Sequence, residues 1–385
     1  MQRLDILDGI KILDLSRIFT GPYCTQLLAD LGAEVIKIEP PKGDDTRYWG
    51  PPFIKKELSS YYVTLNRNKK NVVLDLKNEK DLKKLKKLVK WADVLVENYR
   101  EGVTKKLRIT PEELWKINPK LIYLSIRGFG SKGPYVNRAA YDIIAQSETG
   151  IMGMTGTKDG QIVKVAVPIG DIAAALYGAI GILAAVYKAQ KTGRGIHIET
   201  SLFSSLLSWL TYQAANAYLK HENICPMGTE HANIVPYQSF LCKDGKWISI
   251  AIGNEKQWEK FCQAIERSDL INNPKYKTNA KRVKNRNSLV PLLSNIFLQK
   301  TCDEWEEILL RYSLPVGKVR TILEVLEHPQ AKALDLVFFL EFLDENKKIP
   351  LFKTPLSFSN AGKKIFIPPS EKGKHQEIIK EISDF

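Results

Sequence analysis

Between Lys11 and Ile126, five short apolar runs alternate with helical patterns, and that alternation leaves the chain few architectures. The runs are Lys11–Leu15 (KILDL), Glu34–Ile38 (EVIKI), Val72–Leu76 (VVLDL), Asp93–Val96 (DVLV) and Leu121–Ile126 (LIYLSI). Their length and their richness in Val, Ile and Leu are those of buried strands. Cys24–Leu31, Glu79–Ala92 and Pro111–Ile117 carry helical patterns between several of them. Strands joined through helices build βαβ units, so the expected fold class is α/β with a doubly wound parallel sheet. Such a sheet binds ligands beyond the carboxyl ends of its strands. Here those ends carry Ser16-Arg17-Ile18-Phe19-Thr20-Gly21-Pro22, Glu39-Pro40-Pro41 and Glu97-Asn98-Tyr99. The first of these loops has no G-x-G-x-x-G, so the dinucleotide fingerprint is absent.

Further on, Ile172–Gln190 reads as an Ala-rich helix closed by Gly193 and Gly195, Ile196–Thr200 as a strand, and Ser201 to about Leu219 as a second apolar helix. The texture changes near His221. From Pro236 the chain runs YQSFLCKDGKWISIAIG, two strands around the tight-turn signal Lys243-Asp244-Gly245. Charged helical segments follow to about Arg311, and strand-like pieces return around Phe338–Phe342. The expected organisation is a large domain over 1–224, a smaller α+β domain over 225–325, and a segment over 326–385 that returns to the large domain.

Composition narrows the function classes. With 44% hydrophobic and 26% charged residues among 385, the chain is an ordinary globular sequence. Its first residues lack the apolar core of a signal peptide, and the longest apolar run, Ile172 to Tyr187, is short for a membrane span. We therefore expect a cytoplasmic protein with no membrane partner. Five widely spaced cysteines form no CxxC, and five histidines form no HxxxH or HExxH, so neither a disulfide framework nor a metal site is expected. The net charge of +14 asks for an anionic partner or a solvated surface. Much of it lies in EKDLKKLKKLVKWA, where Leu82, Leu85, Val89 and Ala92 recur at helical spacing and leave the lysines on a wet face. No nucleic-acid-binding pattern accompanies the charge, so nucleic acid is not an expected partner. A Lys- and Ile-rich sequence also fits a thermophile.

The stretch VAVPIGDIAAA sets one carboxylate, Asp171, ahead of the Ala-rich helix. Asp is a favoured helix N-cap, which explains it structurally. A carboxylate at a helix N-terminus is also held ionised by the helix dipole, and such an anion is a nucleophile. Local sequence favours the cap.

Several motifs in order decide otherwise. LDLSRIFTGPYCTQLLADLGAEVIKIEPP, LNRNKKNVVLDLK, ADVLVENYREG, YDIIAQSETG, VPIGD and KTGRGIHIETSL resemble the class III CoA-transferase family, which contains formyl-CoA transferase, carnitine CoA-transferase and α-methylacyl-CoA racemases. The resemblance covers nearly all of the first 240 residues and implies a Rossmann-like large domain, coenzyme A as substrate and product, a carboxylic acid acceptor, no metal, and an interlocked homodimer. It makes Asp171 the catalytic aspartate and Tyr141 an active-site residue. It places CoA contacts at Ile18, Lys77, Asn98, Tyr99 and Lys106, and we add Gly253 as a weaker candidate oxyanion donor. Phe19 stands where the formyl-CoA transferases carry a catalytic Gln, and Tyr141 where the racemases carry a His. A tyrosine is a poor base near neutral pH, so the racemase alternative is disfavoured. A nucleic-acid-binding protein and a Rossmann oxidoreductase are more distant alternatives. Arg17, Arg47 and Arg138 are candidates to hold a distal carboxylate of the acid, with no choice among them.

Overall fold

The computed structural model describes residues 2–383. Its contacts divide the chain into two units, one of Met1–Met152, Lys164–Glu222 and Pro329–Phe385, the other of Gly153–Val163 and Asn223–His328. The stretch Gly153–Val163 thus belongs with the second unit, although the sequence reading kept it in the large domain.

The first unit is built on a parallel sheet of six strands: β1 (Lys11–Asp14), β2 (Glu34–Glu39), β3 (Lys69–Val73), β4 (Val94–Glu97), β5 (Ile122–Arg127) and β6 (His197–Ser201). Their order across the sheet is β3-β2-β1-β4-β5-β6, with every pairing parallel. The order reverses between β1 and β4, so the crevice for a ligand opens beyond Asp14 and Glu97. Helix α1 (Thr20–Asp30) joins β1 to β2, and α2 (Glu79–Trp91) leads into β4. Leu82, Leu85, Leu88 and Val89 of α2 pack on Leu13, Ile36, Leu95 and Tyr123 of the sheet, while its lysines face water. On the opposite face lies α4 (Ile169–Thr192), which follows α3 (Asp142–Glu148). Its small residues let it lie close to the sheet: a Cβ on Gly178 would come within 3.0 Å of Leu124 and 3.3 Å of Cys24. At 24 residues and a mean hydropathy of 1.9, α4 is long and apolar enough to cross a membrane by length and composition, longer than the apolar run suggested. The expected helix over 201–219 is two, α5 (Leu202–Ser208) and α6 (Thr211–Lys220), broken where Thr211 takes φ +42°.

Strand β3 begins three residues before the apolar run that marked it. The reason is a buried charge. Lys69 has no exposed surface to speak of, because its Nζ donates to Asp14 Oδ2 at 3.0 Å, Pro22 O at 2.7 Å and Asn66 Oδ1 at 3.1 Å. The free edge of β3 is covered by the C-terminal segment. His375 and Asn71 exchange bonds there, Asn71 N to His375 Nδ1 at 3.1 Å and His375 N to Asn71 O at 3.0 Å. The Gln376 amide imitates a strand, accepting from Val73 N at 3.0 Å and donating to Val73 O at 2.9 Å. Ile378 and Ile379 of α10 (Ile378–Ser383) then bury beside α2.

The second unit carries its own core. The expected hairpin is present as β7 (Tyr237–Leu241) and β8 (Trp247–Ala251), with β9 (Val316–Lys318) antiparallel to β8. Helices α7 (Glu255–Ala264), α8 (Arg286–Phe297) and α9 (Cys302–Arg311) close over it, with Phe240 and Phe297 stacked at 4.6 Å between centroids.

Under the crevice of the first unit lies a buried set of charges. Asp14 accepts from Lys69 and from Thr25 Oγ1 at 2.6 Å; Lys37 Nζ meets Asp44 Oδ2 at 3.1 Å and Ser16 O at 3.0 Å. Arg47 forks onto Glu39 at 2.7 and 2.9 Å, and Tyr62 and Asn71 donate to the same carboxylate. Three cations and three carboxylates balance. Burial opposes ionisation of Asp14 and Glu39, but Lys69 and Lys37 on the first and Arg47 with Lys37 on the second hold both down at about 2. A depressed carboxylate stabilises the fold above its unfolded range near pH 4, and the contribution is lost as pH falls towards 2. Removing one partner from such a pair costs about 3–5 kcal/mol. Lys69→Met should therefore lower the urea unfolding free energy by about that amount at pH 7. The gap between variant and wild type should narrow as the titration is taken below pH 4, where Asp14 of the variant becomes neutral.

Candidate active site

The loops after β1 and β4 are tied to one another. Asn98 Oδ1 accepts from Arg17 N at 2.8 Å and its Nδ2 donates to Arg17 O at 2.7 Å, so one side chain substitutes for a strand pairing across the crevice. Ile18 is thereby held at φ +70°, a left-handed conformation that a β-branched residue rarely adopts. Its N–H points at the Asp44 carboxylate, 3.2 and 3.3 Å away, which Lys37 anchors from below.

Asp171 lies where two helix N-termini meet. It is the third residue of α4 rather than its cap: Pro168 flanks the helix and no side chain caps it there. The start of α4 is instead held from a distance, by Asp142 Oδ1 accepting from Gly170 N at 2.7 Å while Asp142 Oδ2 accepts from Gln146 Nε2 at 2.6 Å. Thr20, first residue of α1, donates its hydroxyl to Asp171 Oδ1. The sequence reading has Asp171 ionised at neutral pH, and a carboxyl at about 6 is so, although the helix start does not hold it in the ordinary carboxylate range. Burial pushes it up to about 6, the Asp142 charge adds to the rise, and the Thr20 bond only partly opposes it. Tyr61 is in the same neighbourhood; burial first, then the charges of Asp171 and Asp142, raise its hydroxyl. Phe19 and Trp49 pack edge-on against that ring at 6.0 and 5.3 Å.

Asp171, Ile18, Asn98, Tyr99 and Tyr141 line one cavity of about 280 Å³. A second, of about 540 Å³, shares Ile18, Asn98, Tyr99 and Tyr141 and continues to Lys77. The carboxylate lines only the first and Lys77 only the second, and the two cavities form a trough with a common wall. Lys106 lines neither cavity; it is exposed at the end of the helical turn Val103–Lys106, whose Val103 lines the second. Gly253 lies in the second unit after β8, its N–H donating to Gln257 Oε1 at 2.8 Å. Among the arginines, Arg47 is removed from contention, being 1% exposed and bound to Glu39. Arg17 is paired with Asp45. Arg138 lines the first cavity but bonds to Glu148 at 2.7 Å and stacks over Tyr135 at 4.3 Å. Among the described residues no group of three or more His, Cys, Asp or Glu is placed to hold a metal ion.

Thr20, Tyr61 and Asp142 escaped the sequence reading as neighbours of Asp171. Thr20 and Asp142 lay inside quoted motifs, but their partners are 151 and 28 residues away. No local pattern reports that.

Comparison with known proteins settles the family. Residues 7–376 match the model of CoA-transferase family III. The chain belongs to that family. It is 38% identical over 384 residues to a human succinyl-CoA:glutarate CoA-transferase, covering 99% of this chain and 87% of the human one. With a succinate–glutarate CoA-transferase of Agrobacterium fabrum it shares 34% identity, covering 98% of this chain and 95% of the other. A crystal structure of a CaiB/BaiF family protein from Brucella suis superposes with a TM-score of 0.87 at 37% identity, covering 98% of this chain and 99% of that one. Membership makes the chain a CoA-transferase, an enzyme acting between acyl-CoA and carboxylate.

The environment of Asp171 predicts a cost in stability. A carboxyl raised from its ordinary range near 4 to about 6 destabilises the fold above pH 6, and the penalty vanishes as pH falls below 4. Asp171→Asn should therefore be more stable than wild type at pH 7.5, by on the order of 2–3 kcal/mol, and equal to it at pH 4, measured by urea unfolding.

Proposed function

We propose that the chain moves CoA from an acyl-CoA donor to a carboxylic acid acceptor through covalent intermediates on Asp171. The observation that carries this reading is the placement of one partly exposed carboxylate, at the junction of two helix N-termini, in a trough lined by Ile18, Lys77, Asn98 and Tyr99, four of the five residues that the resemblance assigns to CoA. Above pH 6 the carboxylate is ionised and poorly solvated, which favours nucleophilic attack. Asp171 attacks the thioester carbonyl; the C–S bond breaks, giving a mixed anhydride and CoA thiolate. The thiolate attacks the aspartyl carbonyl, releasing the donor acid and leaving an aspartyl-CoA thioester. An acceptor carboxylate attacks that thioester to form a second anhydride, and the expelled thiolate takes its acyl group. Asp171 is regenerated and no proton is gained or lost overall.

Wild-type enzyme mixed with an acyl-CoA and no acceptor acid should gain the mass of a covalent CoA adduct, seen in intact-protein spectra. Asp171→Ala and Asp171→Asn should abolish both adduct and acyl exchange, the latter with the fold intact. Rapid α-deuteration of a 2-methylacyl-CoA in heavy water, without adduct or exchange, would instead establish a racemase.

We also propose a homodimer. Leu176, Ile180, Leu183 and Tyr187 form an exposed stripe on α4 at helical spacing, with Ile180 61% and Tyr187 62% exposed. A monomer rarely leaves so much contiguous apolar surface in water, and a second copy is the simplest cover. Sedimentation at micromolar concentration should give twice 43.7 kDa, and Ile180→Glu with Tyr187→Lys should dissociate it. A wild-type monomer would refute this assembly.

A further inference from the structure

We propose that Arg127 receives the distal carboxylate of a dicarboxylic substrate, so that the acids exchanged at Asp171 are dicarboxylates. This rests on the CoA-transfer reading and names its substrate class. Arg127 closes β5 and lines the cavity that contains Asp171. Its side chain is only 10% exposed. A guanidinium offers a carboxylate two parallel donors along the edge formed by Nε and one terminal nitrogen. In Arg127 the hydrogen bonds leave from the other terminal nitrogen, Nη1, to Glu97 Oε2 at 3.0 Å and Ile126 O at 3.4 Å. Glu97 Oε1 lies 2.8 Å from the same nitrogen. Nε, although buried, has no hydrogen-bond partner among the described residues. Glu101 Oε2 comes no closer to it than 3.7 Å, beyond hydrogen-bonding distance, and is 43% exposed.

One side of the guanidinium is therefore pinned by a fully buried carboxylate, while Nε of the carboxylate-binding edge is left unsatisfied in a residue that lines the same cavity as the nucleophile. A buried donor without an acceptor is unfavourable, and the pinning fixes the edge in place before substrate arrives. A diacid satisfies that edge, whereas a monocarboxylate of equal length leaves it bare, and such a site discriminates strongly against the analogue that lacks the group. Among the other arginines near the trough, Arg17 also has a buried Nε without a hydrogen-bond partner, but Nη2, the other nitrogen of that edge, is taken by Asp45. Arg138 is committed to Glu148 and Arg47 to Glu39, and Arg100 lines both cavities as an exposed side chain with no partner among the described residues to orient it.

The test compares glutarate with pentanoate, equal in carbon count, as acceptors from succinyl-CoA at saturation, with the product thioesters measured by mass spectrometry. Wild type should prefer glutarate. Arg127→Lys keeps the charge opposite Glu97 but loses the side-on edge, and the paired variant Glu97→Gln/Arg127→Met removes both buried charges together, so that folding does not rest on one alone. Both should raise KM for glutarate by about 10-fold or more while KM for pentanoate and Kd for free CoA stay within about two-fold. Equal use of the two acids by wild type, equal losses on both acids, or no loss on either overturns the proposal. So does a weakened Kd for free CoA, which would assign Arg127 to the CoA phosphates or pantetheine. Absence of exchange with every acid and of any adduct on Asp171 would overturn the transfer reading itself, and this one with it.

Discussion

The crevice depends on six charges that water does not reach. Asp14, Lys37, Glu39, Asp44, Arg47 and Lys69 come from β1, β2, β3 and the loop after β2, and their sum is zero. A hydrophobic core under these loops would stabilise as much or more, but it has no direction. Ion pairs with two or three bonds apiece have one arrangement. Here that arrangement holds Asp44 against the N–H of Ile18, and so keeps a β-branched residue in a backbone conformation it would otherwise leave. The shape of the trough wall is thus set from beneath, by residues that never meet a ligand.

The same logic explains what the sequence disclosed. Five strands and the helices between them announced themselves through apolar periodicity, because burying a face leaves a repeating trace. Strand β3 was displaced in the reading because Lys69 and Asn71 are buried through distant partners, which leaves no such trace. The site divides in the same way. Asp171, Ile18, Asn98, Tyr99 and Tyr141 were legible from motifs and fall around one cavity. Thr20 and Asp142, which fix and tune Asp171, were not, since their function lies in contacts between remote segments. The cap that the sequence offered for Asp171 is performed by Asp142 from another helix, and this frees the Asp171 carboxylate from a structural bond to its own backbone.

That freedom carries a price in solvation. A carboxyl surrounded by Thr20, Tyr61 and a neighbouring acid is poorly hydrated, and the protein tolerates this where reactivity requires it. Helix α4 concentrates two such compromises in one element. Its start presents the reactive group, and further along an apolar stripe faces outward, so the segment of chain that aims the carboxylate is also the one most in need of a cover.

The C-terminal clasp on β3 has a bearing on the order in which the chain becomes structured during synthesis. Edge strand β3 finds partners for Asn71 and Val73 in His375 and Gln376, about three hundred residues downstream. The second unit draws on nothing beyond His328, so all of it has left the ribosome while the first still lacks the strip that closes its sheet. Until then the outermost strand of the nascent sheet is open to any extended segment that meets it. The portion begun first is finished last, and its interval of exposure spans the translation of its own remaining strands and helices together with the whole of the other.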